Sequence, residues 1–164
     1  MLARFNALPA DVAERELLAG NAAPRFAREI VAGRPYESVD DLARAAQQVA
    51  AGLSWDEVEA ALAAHPRIGQ RVAGDSAEAA SSRREQAGVD GATDAVRAEL
   101  AAGNRAYEER FGHVFLIRAA GRGPAEILAE LTRRSGNDEA AERAETTAQL
   151  AEITRLRVER AVSG

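Results

Sequence analysis

The chain has 164 residues and a formal net charge of −5, and this length fits one domain with a single hydrophobic core. It contains no Cys, which excludes disulfides, thiolate metal sites and cysteine nucleophiles, and all 21 basic residues are Arg, which excludes enzymes that form a Schiff base through a lysine. Its arginines alternate with acidic residues, so we expect no nucleic-acid partner. No apolar stretch approaches the roughly 20 residues of a membrane span, and the first residues lack the pattern of a signal peptide. We therefore expect a cytoplasmic protein without a membrane partner.

The composition is typical of an all-α protein, because Ala, Leu, Glu and Arg dominate and β-branched residues are few. We predict a single domain, residues 1–164, that folds as a compact bundle of about seven to nine helices. Apolar residues spaced three or four apart, with Gly and Pro stops between them, predict the individual helices. In chain order these are approximately 6–20, 24–32, 38–51, 55–64, 82–87, 93–110, one that Pro124 opens, and 138–162.

Local signals mark the ends of several of these helices. Asn6 and Ser38 are predicted to cap the first and the third, and Ser54 with Glu57 forms a capping box at the start of the fourth. The long helix of residues 93–110 is expected to end at Gly112, in the usual pattern of a glycine C-cap.

His65 directly precedes Pro66, which disfavours helical backbone at the histidine. We therefore place His65 at the C-terminus of a helix, where the macrodipole favours an imidazolium and helps a proton donor. The simpler interpretation from position alone is a structural histidine that bonds the last carbonyls of its helix. His113 is more simply interpreted as a surface histidine or one satisfied within the core.

Ser82, Glu85 and Gln86 form a polar cluster after residues 74–82, which we predict as a loop with a helical turn. If they are helical, their spacing places all three on one face, where they would form a polar wall of a pocket. The alternative is an ordinary capping box with Ser82 as N-cap and Glu85 as the third helical residue. The spacing supports both interpretations equally.

The strongly apolar run of residues 114–117 is predicted to be extended or a buried turn, and small residues follow it as far as Gly121. Such a segment exposes backbone N–H and C=O groups that a planar, urea-like ligand can pair with, although most such runs only cross the core. Arg157 has the fork geometry that holds a carboxylate, but nothing local distinguishes it from the other arginines.

A set of short motifs follows one order along the chain. They are Arg34-Pro35-Tyr36, His65-Pro66-Arg67-Ile68-Gly69, Ser82-x-x-Glu85-Gln86-x-Gly88, Asn104-x-x-Tyr107 leading into Phe111-Gly112, the run from Val114 to Ile117, Gly121-Arg122 and Leu156-Arg157-Val158. In this order they resemble the 2-oxo-4-hydroxy-4-carboxy-5-ureidoimidazoline (OHCU) decarboxylase family. Each motif alone is weak, but the ordered set is specific and covers about residues 5–162. The chain departs from the family at Tyr36, where Phe is common, and at His113, a variable aromatic position.

The resemblance implies a cofactor-independent carboxy-lyase that converts OHCU to (S)-allantoin and CO2 in urate degradation, a part of purine catabolism. It also implies a homodimer that acts on a small-molecule substrate. The lack of Lys and Cys agrees with this chemistry, because the oxidised imidazoline ring itself accepts the electron pair that decarboxylation releases. The protein then has to orient the carboxylate, exclude water and deliver a proton to one face of the intermediate.

Carried over by position, the resemblance implies that His65 is the catalytic proton donor. Glu85 is implied to assist, by holding either the histidine or the hydroxyl and ureido groups of the substrate. The implied substrate-binding residues are Pro66, Ser82, Gln86, Ile117, Arg118, Ala119, Ala120, Gly121 and Arg157, and no metal ligand is implied. Arg155 and Arg160 stay open as alternatives to Arg157, since a small shift in alignment exchanges them.

Two other classes of function stay open from the residues alone. In a helical interaction or regulatory module, His65 and Glu85 would be helix caps without catalytic activity. A metal-dependent helical hydrolase is disfavoured, because His65 and His113 lie 48 residues apart and lack the spacing of a zinc-binding helix. An assay of stereoselective allantoin formation tests the first class, and metal analysis tests the second.

Overall fold

The computed structural model describes residues 1–69, 74, 76–89 and 91–164. Within these residues there are nine α-helices, one 3₁₀ turn at Ala87–Val89 and no β-strand. The helices are α1 (Leu2–Ala7), α2 (Ala10–Leu18), α3 (Pro24–Ala32), α4 (Val39–Ala51), α5 (Trp55–Leu62), α6 (Ala77–Glu85), α7 (Asp94–Phe111), α8 (Pro124–Ser135) and α9 (Glu139–Ser163). The predicted all-α class and number of helices are confirmed. Among the described helices, none combines the length and the apolar character that crossing a membrane requires.

The chain divides into two compact units, and the first comprises Met1–Ala61 and Leu150–Gly164. Its core is formed by buried apolar side chains, the larger of which are Phe5, Leu17, Phe26, Ile30, Leu42, Val58, Leu150, Ile153 and Val158. The bounds predicted for α3 and α4 are confirmed, because strong start signals open both helices. Pro24 occupies the first turn of α3, and the Ser38 hydroxyl accepts a 3.0 Å bond from the Asp41 N–H at the start of α4.

The single helix predicted over residues 6–20 is wrong. The structure has two helices there, α1 and α2, because Pro9 forces Leu8 into extended backbone with φ −61° and ψ 145°. Asn6 is not a cap but lies within α1. Its side-chain amide donates to the Tyr36 carbonyl at 2.9 Å and accepts from the Tyr36 N–H at 3.0 Å.

The capping box at the start of α5 is confirmed. The Glu57 N–H donates to the Ser54 hydroxyl at 3.3 Å, and the Ser54 N–H donates to the Glu57 carboxylate at 2.8 Å. Arg25 of α3 holds the same carboxylate through two parallel bonds of 2.8 and 2.9 Å. α5 ends at Leu62, two residues before the predicted end.

The second unit, Leu62–Gln149, contains α6, α7 and α8. Its hydrophobic core consists of Ile68, Val89, Leu100, Tyr107, Phe115, Ile117, Ala119, Ile127 and Leu131. α7 and α8 approach closely at Gly103, where an added Cβ would lie 2.7 Å from the Leu131 side chain. α7 ends at Gly112, whose φ of +77° suits glycine, so the predicted C-cap is confirmed. The bounds predicted for α7 and α9 are each correct to within one residue.

The predictions for residues 74–82 and 82–87 are wrong. A helix, α6, runs through Ala77–Glu85 and begins at Ser76, whose hydroxyl accepts a 3.1 Å bond from the Ala79 N–H. Residue 75, which belongs to the predicted loop, lies outside the described residues. Ser82 is therefore inside the helix and Glu85 is its last residue, so the capping-box interpretation of these two residues is wrong.

Candidate active site

The segment that follows α5, here called the His-Pro turn (residues 65–69), carries His65. The backbone N–H of His65 donates to the Leu62 carbonyl at 2.9 Å, which places the histidine one turn beyond the end of α5. Only 9% of His65 is exposed. A buried imidazole at a helix C-terminus matches the predicted location, while the role of His65 in proton transfer stays a prediction.

Two amide side chains hold the backbone of the His-Pro turn. Asn104 of α7, itself buried, donates to the Ile68 carbonyl at 3.0 Å. Gln86, the residue after α6, accepts a 3.0 Å bond from the Gly69 N–H. Gly69 has a φ of +80°, which favours glycine at this position. The Ile68 carbonyl and the Gly69 N–H belong to one peptide group, which is thus fixed from two elements, and the Gln86 bond brings the end of α6 against the turn.

The predicted polar cluster lies at the C-terminal end of α6. Ser82 is 2% exposed and Glu85 is 9% exposed. A carboxylate is expensive to bury, and the last turn of a helix is the end where the macrodipole disfavours a negative charge. A buried carboxylate at this end of a helix is a candidate for function. The Gln86 side-chain oxygen is already bonded to the Gly69 N–H of the His-Pro turn. The predicted contact between Gln86 and the substrate stays a prediction.

The segment after α7 has no regular secondary structure at residues 114–119 and ends in a tight turn. The Arg122 N–H donates to the Ala119 carbonyl at 3.0 Å, and Gly121, with a φ of +79°, occupies the third position of this turn. Within the segment, the Arg118 N–H donates to the Gln149 side chain at 2.8 Å. The carbonyls of residues 118 and 120 accept bonds from arginine side chains of the same segment.

These bonds narrow the prediction that the backbone of residues 117–121 binds a ligand. The N–H of Arg118 and the carbonyls of residues 118–120 are already bonded within the chain. In a turn closed between Ala119 and Arg122, the N–H groups of the two central residues, Ala120 and Gly121, do not take part in the closing bond. Among the bonds of the described residues, none comes from these two N–H groups, so the groups of this segment that we expect a ligand to meet are chiefly N–H groups.

A buried ion pair between Arg134 and Glu142 contacts this segment at the Leu116 carbonyl. No local sequence pattern indicates it. Arg134 is 1% exposed and Glu142 is fully buried, and the guanidinium donates to one carboxylate oxygen through Nε at 2.9 Å and Nη2 at 2.5 Å. The Tyr107 hydroxyl donates to the same oxygen at 2.5 Å. Burial, and then this bond to a carboxylate, raise the pKa of Tyr107 far above its ordinary value. Tyr107 belongs to a motif of the resemblance, but nothing in the sequence distinguishes Arg134 or Glu142 from their neighbours.

His113 contributes to a cluster of rings. Its Nδ1 lies 3.0 Å from the Val114 carbonyl oxygen, and its ring meets that of Tyr107 edge-on with centroids 5.5 Å apart. These contacts support the interpretation of His113 as a packed histidine rather than as a member of the site.

Arg157 belongs to the first unit and is 5% exposed. Of the two alternatives, Arg155 is bonded to Asp40 at 2.9 Å and to Gln47 at 3.1 Å, and Arg160 is exposed. A buried guanidinium favours Arg157 for a specific task, because burying one without a purpose is costly.

A groove of about 510 Å3 adjoins the His-Pro turn. Its walls include Ile68, Leu100, Asn104 and three arginines, Arg67, Arg97 and Arg105, and none of its lining residues is a predicted site residue. This groove is therefore distinct from the predicted site residues, and the support for the predicted site is the burial of His65 and Glu85. Over residues 1–69, 74, 76–89 and 91–164, no three His, Asp or Glu side chains lie close enough together to hold a metal ion.

Comparison with known proteins gives one family and a set of similar folds. The model of a family described as OHCU decarboxylase matches residues 6–159. A crystal structure of OHCU decarboxylase in the presence of (S)-allantoin has a TM-score of 0.76 and 24% identity, over 91% of this chain and 98% of the other. A crystal structure of (S)-allantoin synthase has a TM-score of 0.72 and 19% identity, over 99% of this chain and 54% of the other. At these identities the two structures establish a shared fold. No protein with a curated description matches the sequence significantly.

Proposed function

Since the chain belongs to the OHCU decarboxylase family and is therefore a carboxy-lyase, we propose that it converts OHCU to (S)-allantoin and CO2 without a cofactor. The observation that carries this proposal is the burial of an imidazole and a carboxylate, His65 and Glu85, on two segments that the Gln86 bond to Gly69 joins. Both residues lie within the part of the chain that the family model matches. We also propose that residues 1–164 act as a single domain, for which the match over residues 6–159 is the support.

The proposed reaction needs little from the protein beyond placement and one proton. The bond between the carboxylate carbon and the ring carbon that also carries the hydroxyl breaks, and CO2 leaves. The electron pair forms a double bond to the neighbouring, ureido-bearing carbon, whose C=N bond passes its own pair to the ring nitrogen. His65 then delivers a proton to one face of the ureido-bearing carbon, which sets the S configuration of the product, and the hydroxyl gives up its proton to become the ring carbonyl. Glu85 holds the imidazole or the polar groups of the substrate during this step. Removing water from the site keeps the intermediate from being protonated on the wrong face.

Six of the remaining predicted residues contact the substrate in this proposal, while Gln86, Arg118 and Ala119 shape the site through their bonds within the chain. The N–H groups of Ile117, Ala120 and Gly121 pair with the carbonyl oxygens of the urea-like ring and side chain, since N–H groups are what this segment offers. Ser82 lies one helical turn from Glu85 on α6 and supplies a hydroxyl, and Pro66 packs against the ring. Arg157 holds the carboxylate that leaves, as its fork geometry permits.

The decisive experiment supplies the purified protein with the urate-oxidation product generated enzymatically in the cuvette. Circular dichroism then follows the formation of allantoin. The proposal expects formation faster than the spontaneous rate and an excess of the S enantiomer. Racemic allantoin at the spontaneous rate would support the interaction module instead.

The cofactor-free and dimeric parts of the proposal are tested separately. Chelators should leave the rate unchanged, and loss of activity that one divalent ion restores would contradict this part of the proposal. The homodimer that the resemblance implies predicts twice the mass of one chain in light scattering, and a monomer that is fully active would exclude the need for a dimer.

A further inference from the structure

The buried ion pair of Arg134 and Glu142 is satisfied on every side that the structure describes. One carboxylate oxygen accepts from the guanidinium and from the Tyr107 hydroxyl, and the other accepts a 3.0 Å bond from the Asn137 side chain. The Thr146 hydroxyl accepts a further bond from the guanidinium at 3.2 Å. Such saturation is what allows two charges to persist in a core.

Stability does not explain why the pair exists. Taking two charges out of water costs several kcal/mol for each ion, and a hydrophobic pair of similar volume is often as stable or more stable. A buried pair of this kind is better explained by the geometry that it imposes on its surroundings. The remaining donor of Arg134, Nη1, bonds the backbone and so indicates which part of the chain the pair orients.

Arg134 Nη1 donates to the Leu116 carbonyl at 2.6 Å, and the guanidinium carbon lies 4.6 Å from the centre of the Phe115 ring. Because a peptide group is planar, fixing the Leu116 carbonyl also fixes the N–H of Ile117. The next peptide plane is fixed by the bond from the Arg118 N–H to Gln149. Both polar groups of Ile117, the first residue of the predicted ligand-binding segment, thus have set directions.

We propose that Arg134 is a positioning residue for the decarboxylation, which orients the Ile117 N–H for its bond to the substrate ring through the Leu116 carbonyl. Glu142 holds the guanidinium in place for this task and neutralises its charge. This inference rests on the proposed function, because it needs the backbone of residues 117–121 to bind substrate.

The test compares two variants that both disturb the ion pair but differ at Leu116. Arg134→Met combined with Glu142→Gln removes both charges and the donor to Leu116, while the new amide can still accept from Tyr107. Tyr107→Phe removes one bond to Glu142 and leaves the contact between Arg134 and Leu116 intact. Thermal unfolding measures the loss of stability in each variant.

For the double variant we expect KM, and the Kd of (S)-allantoin measured by calorimetry, to rise about tenfold, the scale of one lost hydrogen bond to the ligand. kcat should change much less, because the bond is made in the ground state as well. Tyr107→Phe should lose stability with KM and Kd unchanged. If the folded double variant has the KM and Kd of Tyr107→Phe, Arg134 is purely structural.

Arg134→Lys decides the matter if the double variant does not fold. Lysine keeps a charge beside Glu142 but has no fork that reaches Leu116 at the same time, so the same rise in KM is expected, and an unchanged KM overturns the inference. A wild-type protein that forms no (S)-allantoin overturns the proposed function and this inference together. An active wild type with unaffected variants overturns this inference alone.

Discussion

Two turns in this chain follow a helix and carry a proline as their second residue. One is Arg34-Pro35-Tyr36, here called the Arg-Pro turn, after α3, and the other is the His-Pro turn after α5. Each is held by amide side chains that come from other helices or their ends. Asn6 bonds both polar groups of the Tyr36 backbone, while Asn104 and Gln86 share the same task in the His-Pro turn.

The side chains of the Arg-Pro turn are part of its scaffold. Arg34 donates to the carbonyls of Phe5 and Leu8, each at 2.8 Å. The Tyr36 hydroxyl donates to the Ile30 carbonyl at 2.9 Å. Arginine and tyrosine at these positions therefore complete the backbone hydrogen bonds of α1 and α3.

The amides of the His-Pro turn bond the backbone of Ile68 and Gly69. Arg67, another residue of this turn, bonds the Glu108 carboxylate at 2.6 and 2.9 Å. The two amide bonds go to the backbone and so do not depend on which residue occupies position 65. Both turns are thus held through their backbone and through an arginine side chain. They differ in that Arg34 and Tyr36 both bond backbone carbonyls of their surroundings, whereas the amide bonds of the His-Pro turn leave the residue type at position 65 unspecified. Changes in the first turn should thus affect stability, and changes at His65 should affect activity.

The largest expected effect is that of His65→Asn. Loss of a positioned acid–base group lowers kcat by roughly 10² or more, while the side-chain bonds from Asn104 and Gln86 keep the turn folded. Allantoin formation measures the rate, and thermal unfolding verifies the fold.

The control in the Arg-Pro turn is Tyr36→Phe, which removes one hydrogen bond and should lower the free energy of unfolding by about 1 kcal/mol with kcat unchanged. His113→Ala should have only a mild effect on kcat. Equal losses of activity in His65→Asn and His113→Ala would remove the basis for His65 as proton donor.

The next effect in size is expected from Glu85→Gln. Loss of the carboxylate charge should lower kcat about tenfold or more, which corresponds to about 1.4 kcal/mol of transition-state stabilisation. The melting temperature should hardly change, because the side chain keeps its shape and α6 loses an unfavourable charge from its last turn.

Glu78 in the first turn of the same helix is the matched control. There a carboxylate stabilises the helix, so Glu78→Gln should lower stability by a few tenths of a kcal/mol and leave kcat unchanged. Wild-type kcat in Glu85→Gln would mean that the carboxylate serves structure only.

A smaller effect should distinguish the asparagine that holds the Arg-Pro turn, Asn6, from the one that holds the His-Pro turn, Asn104. Asn6→Ala leaves the half-buried backbone groups of Tyr36 without their partner, and Asn104→Ala does the same to the buried Ile68 carbonyl. Each should cost roughly 1–3 kcal/mol of unfolding free energy. Only Asn104→Ala should also lower kcat/KM, by several-fold, because only the turn that it holds carries the proposed proton donor. If both variants kept wild-type kcat/KM when folded, the distinction between the two turns would fail.

Helix ends that depend on neighbours in sequence are predictable from the sequence. Ser38 and the Ser54–Glu57 box form bonds across three residues, and Gly112 ends α7 through its own backbone conformation. The start of α6 is mistaken for a loop because its opening residues are small and lack apolar periodicity. The Ser82-x-x-Glu85 spacing then resembles a capping box, although Ser82 lies inside that helix.

The candidate site is predictable only in part for a related reason. A proline marks the helix end at His65, and local spacing groups Ser82 with Glu85. The bonds that position these elements join residues 17 and 36 apart, and the bond from Arg134 to Leu116 joins residues 18 apart. A local sequence pattern does not predict contacts between residues so far apart. The amide bonds to the His-Pro turn and the contacts of the ion pair are therefore known only from the structure.

The smallest expected effect concerns a carboxylate that belongs to neither turn. Its bonds to Arg25 and to the Ser54 N–H hold the pKa of Glu57 at about 2, below its ordinary value of 4.5. Because the folded pKa is the lower one, this carboxylate stabilises the protein fully above about pH 5. The contribution is lost as pH falls from there towards 2. Glu57→Gln keeps the capping box, since glutamine serves equally at that position, and removes only the charge that Arg25 holds.

The melting temperature of Glu57→Gln should therefore lie below that of the wild type at pH 7, and the difference should vanish as pH approaches 2. Arg133 likewise holds the pKa of Glu145 at about 2, so Glu145→Gln should behave in the same way in the second unit. Glu59, exposed on the same helix as Glu57, is the control, because Glu59→Gln should change the melting temperature little at any pH. At pH 7 all three variants should keep wild-type kcat, since acid stability is carried by the scaffold and activity by the His-Pro turn. A loss of kcat in Glu57→Gln as large as that in Glu85→Gln would contradict this division, because it would tie the ion pair of α3 and α5 to catalysis.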